Sequence, residues 1–95
     1  MPEMLFSIRW PDGTRQRCYS PSLVIKDFFT PGESYPLADF VSRSQMALET
    51  ASARVRKKYG YGCAHALAQL ADIAQMAARF HAQPDASVTV ETFEE

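Results

Sequence analysis

The chain is expected to fold as a two-layer α+β domain of order β-β-α-α-β, an N-terminal hairpin and a C-terminal strand forming a small sheet against an antiparallel helix pair. Three observations carry this. Residues Met4 to Trp10 alternate with period two and run into a Pro-Asp-Gly turn. Two long stretches then show apolar residues at helical spacing, separated by Gly60-Tyr61-Gly62. Alternation returns at Val88, Val90 and Thr92.

In the first strand Met4, Phe6, Ile8 and Trp10 point one way, and Leu5, Ser7 and Arg9 the other. In Pro11-Asp12-Gly13 the proline presets φ, the aspartate suits a turn, and the glycine accepts the left-handed conformation of a bulged hairpin. With Trp10 facing Thr14, Ile8 lies opposite Gln16 and Phe6 opposite Cys18. The inner face is then Met4, Phe6, Ile8, Trp10 and Cys18, with Thr14 and Gln16. The outer face carries Arg9, Arg15, Arg17, Leu5 and Tyr19.

Ser20 to Glu33 is irregular: a short turn or helix through Leu23, Val24 and Phe28 is expected, broken again at Thr30-Pro31-Gly32. The first long helix begins near Pro36, with Asp39 at its positive end. Its stripe is Leu37, Phe40, Val41, Ser44, Leu48, Ala51, Val55 and Tyr59, and Gly60 ends it. The second helix, from about Cys63 to Phe80, has the stripe Ala66, Leu67, Leu70, Ile73, Ala74, Ala77 and Phe80, whose alanines allow close approach. After Pro84-Asp85 the last strand sets Val88, Val90 and Thr92 against Thr89, Glu91 and Phe93. Residues 1–95 suit a single domain, with Glu94 and Glu95 as a frayed tail.

Composition narrows the function classes. The net charge of -1 gives no long-range attraction to nucleic acid or anionic membrane. No apolar run approaches the ~20 residues of a membrane span. The N-terminus MPEMLFSIRW has no basic region followed by an apolar one, so no signal peptide is expected, and a cytoplasmic location is the default. Cys18 and Cys63 are far apart and form no disulfide framework.

No motif reaches the standard of a catalytic or cofactor site. Cys63 and His65 are the most tempting pair, because a cysteine at a helix start can be activated. Two residues apart on a helix, however, they do not face each other. Cys18, Cys63, His65 and His81 lack the short-spaced pairs of a zinc site. Asp39, Glu49, Asp72 and Glu91 are spread over separate elements and form no acid–base pair. No catalytic residue, cofactor or metal is therefore expected.

Binding surfaces remain. Arg54, Arg56, Lys57 and Lys58 end the first helix beside Tyr59 and Tyr61, and are the residues that a nucleic-acid-binding regulator would use. Helix-end lysines are also ordinary complements of the helix dipole, and nucleic acid is not the expected partner. A sheet sealed by helices on one side leaves the other side open. Arg9, Arg15, Arg17, Tyr19, Tyr59, Tyr61 and Phe93 are thus the candidate protein interface, and Tyr35 is a further aromatic candidate. A homodimer is the expected assembly.

Five blocks carry a family resemblance: FSIRWPDG (Phe6 to Gly13), CYSPSLVIKDFF (Cys18 to Phe29), YPLADFVSRSQMAL (Tyr35 to Leu48), ASARVRKKYGYGC (Ala51 to Cys63) and ALAQL (Ala66 to Leu70). Through them the chain resembles a small bacterial family of nitrogen starvation response proteins. Its members are usually encoded near a nitrilase-like hydrolase, an acetyltransferase, a radical S-adenosylmethionine protein, a flavoprotein and a glycosyltransferase. The resemblance implies an accessory role beside a partner enzyme in a nitrogen-linked pathway, and carries over no catalytic residue. The alternatives are the nucleic-acid-binding regulator and a small enzyme or enzyme subunit with Cys63 or His65 in a shared site.

Overall fold

In the computed structural model, which describes residues 3–95, β1 (Met4–Arg9) and β2 (Arg15–Ser20) form the expected hairpin. Met1 and Pro2, the start of the expected domain and of the N-terminus read for a signal peptide, lie outside the described residues. The Trp10 amide donates to the Thr14 carbonyl at 2.8 Å and the Gly13 amide to the Trp10 carbonyl at 2.9 Å. Gly13 takes a φ of 89°, which a side chain would strain. Ile8 faces Gln16 and Phe6 faces Cys18, so Met4, Phe6, Ile8, Trp10 and Cys18 are all buried. The two polar members of this face diverge. Gln16 is half-buried and its Oε1 accepts from Trp10 Nε1 at 2.9 Å, whereas Thr14 is exposed.

The irregular stretch folds into α1 (Ile25–Phe28), with Val24, Ile25 and Phe29 buried, and then β3 (Ser34–Pro36). β3 is an addition to the expected order. Three residues are too few to show an alternation, and Pro36, which has no N–H, fits only the end of an edge strand. Tyr35, an interface candidate, turns inward: its ring packs edge-on against Phe29 at 5.2 Å and its hydroxyl accepts from the Thr30 amide at 2.8 Å.

α2 (Leu37–Tyr59) starts directly after Pro36. Asp39 in its first turn pairs with Arg43 at 2.9 Å, and Arg43 also donates to the Phe28 carbonyl at 2.8 Å. Gly60 closes it with a φ of 86°, its amide returning to the Arg56 carbonyl at 2.8 Å. Phe40, Ser44, Ala47, Leu48, Ala51 and Ser52 are buried. Tyr59, expected to close the stripe, is 51% exposed, since a helix of 23 residues outruns six-residue strands.

α3 (Ala64–Ala78) returns alongside α2: its start meets Ser52, and Ala77 near its end shares a hollow with Leu37 and Val41. Its packed line is Ala66, Leu70, Ile73 and Ala77, steps of four, three and four residues. Leu67 and Ala74 lie about 90° and about 70° round the helix from the middle of that line and are exposed, Leu67 by 53%, contrary to the wider stripe expected.

β4 (Ser87–Glu94) enters between the hairpin and β3, giving the order β2-β1-β4-β3 with every pair antiparallel. Val88 and Val90 are buried, Val90 opposite Ile8. A bulge follows: Ser7 pairs with Thr92 while Ile8 pairs with Val90, leaving Glu91 as the extra residue. The bulge inverts the alternation expected for this strand. Phe93 therefore lies opposite Phe6 and packs against the core, instead of standing with Glu91 on the outer face. Glu94, expected in a frayed tail, is the last residue of β4.

The core lies between the inner sheet face and the helices. Phe40 is its hub, with its ring 5.6 Å from Trp10 edge-on and 5.3 Å from Phe29; Phe80 stacks on Trp10 at 6.1 Å. The outer sheet face has no covering layer among the described residues.

Candidate functional site

Arg9, Arg15 and Arg17 stand exposed on the outer face, as their parity requires. Glu91 lies between two of them, 3.7 Å from Arg9 Nη1 and 3.4 Å from Arg15 Nε. Glu94 pairs with Arg17, and Glu95 with Lys26 at 3.0 Å. Glu3 and Glu95 lie beside Leu5, Tyr19 and Glu94 at one end of this face, so its three guanidiniums do not outnumber its carboxylates. Exposed pairs of this kind contribute little stability, and they leave the side chains free to re-pair. A shallow depression of about 700 Å³ runs between Ser7, Arg15, Gln16, Arg17, Glu91 and Thr92.

Hairpin pairing alternates, and the hydrogen-bonded pair at Trp10 and Thr14 makes Arg15, Arg17 and Tyr19 the residues whose backbone faces away from β1. At Tyr19 that edge is closed by α3, for the Tyr19 amide donates to Gln69 Oε1 at 3.0 Å.

A second surface forms where β2 meets the α2–α3 connection. Glu3, Tyr19, Pro21, Val55, Tyr59, Tyr61 and Cys63 line a hollow of about 250 Å³. Three of the sequence-derived candidates, Tyr19, Tyr59 and Tyr61, meet here, and Tyr61 is 70% exposed. The Tyr19 hydroxyl donates to Glu3 Oε2 at 3.1 Å, and its ring meets His65 edge-on at 5.0 Å. Burial, then Glu3 and the nearby Cys63 thiol, push the Tyr19 phenol up to about 12, so it stays protonated. Glu3 and Pro21 are not among the site residues expected from the sequence, and Val55 is expected there only as part of the packing stripe of the first long helix.

Cys63 precedes α3 and is half-buried, its amide donating to Ser52 Oγ at 3.1 Å. Cys63 and His65 make no hydrogen bond to each other among the described residues; both approach Tyr19 instead. Cys18 is sealed in the core, where burial and secondarily Asp72 push its thiol up to about 12. Among the described residues no three His, Cys, Asp or Glu side chains are grouped to hold a metal ion, and no helix is long and apolar enough to cross a membrane.

The basic run at the end of α2 is dispersed. Arg54 Nη1 donates to Ser22 Oγ at 3.1 Å, the Arg56 guanidinium lies against Gly62, and Lys58 Nζ sits 5.5 Å over the Tyr59 ring. Lys57 is exposed.

A family model described as "Nitrogen starvation-induced protein NitG" matches residues 5–93. The chain belongs to the NitG family. No curated protein and no solved structure matches it. The NitG description names a condition of expression and no chemistry. The match takes in the hairpin, both long helices and nearly all of β4.

Proposed function

We propose that this NitG-family chain is a non-enzymatic accessory protein that binds a partner protein through its outer sheet face. One observation carries the reading: the helices cover one face of the sheet, and the other is open and presents Arg9, Arg15 and Arg17 in solvent-exposed positions whose ion pairs can exchange for a partner's carboxylates. Supporting it, Cys63 and His65 are not arranged as nucleophile and base. The partner is an enzyme of the same nitrogen-linked pathway, such as the nitrilase-like hydrolase of the family's setting. The chain is cytoplasmic and meets that enzyme as a homodimer. A nucleic-acid role has less support, because Arg54, Arg56 and Lys58 are spread over separate contacts with Ser22, Gly62 and Tyr59 and form no single basic surface.

Light scattering at micromolar concentration is expected to give a dimer, and affinity capture from nitrogen-limited cells an acidic-surfaced enzyme. An Arg15→Glu, Arg17→Glu double variant should lose the captured enzyme while unfolding at an unchanged temperature. A monomer that retains no partner would refute the proposal.

A further inference from the structure

The hollow beside Tyr19 has a composition that fits one ligand class, and this holds whether or not the outer sheet face binds a partner. Its walls are three tyrosines, its apolar floor is Val55 and Pro21, and the one charged residue lining it is Glu3. Aromatic faces carry negative quadrupole potential and attract cations, most strongly when a carboxylate is at hand. Tyr59 and Tyr61, two residues apart, are 51% and 70% exposed. A lysine already exploits one of these rings: Lys58 Nζ lies over Tyr59 but does not line the hollow.

We infer that Glu3, Tyr19, Tyr59 and Tyr61 form a binding site for an organic ammonium ion. The apolar floor receives the methyl or methylene groups attached to the nitrogen, and Glu3 balances the charge. Anions are disfavoured by Glu3. A bare metal ion would find one carboxylate and one thiol, Glu3 and Cys63, and no third such ligand grouped with them among the described residues. The neighbouring cations do not fill the site, since Arg54 is held by Ser22 and Arg56 rests against Gly62. The Tyr19 hydroxyl, donating to Glu3, orients the carboxylate.

The ammonium could belong to a small free molecule or to a lysine side chain of a protein, and the test separates these. Choline is titrated into isotope-labelled protein at constant ionic strength, with amide shifts followed by NMR. Its uncharged carbon isostere is titrated in parallel. Saturable shifts are expected at Glu3, Tyr19 and Tyr59 to Cys63, with the isostere bound about tenfold more weakly. Glu3→Gln and Tyr61→Ala, both at exposed positions that leave the core intact, should each weaken choline by about threefold or more, while Tyr61→Phe retains binding. A lysine-bearing tripeptide that binds more tightly than choline assigns the site to a protein side chain, and the reverse order assigns it to a free amine. Equal binding of the isostere, shifts that do not saturate, or an undiminished Glu3→Gln variant would overturn the inference.

Discussion

Phe40→Ala is the sharpest probe of how the two layers are joined. The ring is fully buried, on the first turns of α2, and it touches Trp10 from the hairpin and Phe29 from the segment after α1. Removing it leaves a cavity between elements that cannot close without moving a helix across the sheet. Large-to-small changes of a buried phenylalanine lose about 3–5 kcal/mol. Stabilities of ~0.05–0.15 kcal/mol per residue put this domain at roughly 5–14 kcal/mol, so the variant forfeits about a fifth or more. An unfolding entropy of about 2.1 cal/mol/K per residue converts the loss into a fall in Tm of roughly 15–25 °C. Trp10 is the only tryptophan and lies in contact with the deleted ring, so its fluorescence during denaturant unfolding reports the change directly. The midpoint should drop with an unchanged slope. Phe93→Ala, at a half-buried ring, serves as the comparison and should lose only about 1–2 kcal/mol. If Phe40→Ala lost less than about 1.5 kcal/mol, Phe40 would not be the hub of the core.

Three further outcomes follow from the same geometry. At neutral pH a thiol-specific reagent should label Cys63 in the folded protein and reach Cys18 only on unfolding; equal rates in the folded state would contradict the burial of Cys18. Asp12 has its carboxyl held below the usual 3.8, first by the Thr14 amide, so the stability it contributes is present above that value and lost as pH falls through the lower folded one. Asp12→Asn should therefore flatten the acid limb of the stability–pH curve, and an unchanged limb would show that the interaction is absent in solution. Glu91→Gln leaves Arg9 and Arg15 without their shared carboxylate, yet both arginines are exposed and Glu91 only half-buried; the loss should be under about 1 kcal/mol and fall in high salt, whereas about 2 kcal/mol or more would mean that Glu91 has a structural role.

By itself the sequence determined what short-range rules decide. Pro11-Asp12-Gly13 determined the turn, and with it the pairing of Phe6 with Cys18 and Ile8 with Gln16. The glycine after Tyr59 determined where α2 stops, and helical spacing placed both long helices within a residue or two of their ends. The tertiary structure alone decided the rest. β3 exists because β4 offers it a partner, and three residues hold no pattern of their own. The bulge at Glu91 is a mismatch between β4 and β1, which neither strand records alone, and it sends Phe93 inward, whereas the outward place of Glu91 beside the arginines follows from its alternation with Val90. Leu67 and Tyr59 match the helical period, but their exposure depends on how wide a face the neighbouring layer covers. The hollow beside Tyr19 draws on residues 3, 19, 21 and 55–63, separated along the chain and joined only when the helix connection closes over the sheet edge. Turns and periods act between near neighbours, whereas a binding hollow is made by which distant segments the packing brings side by side.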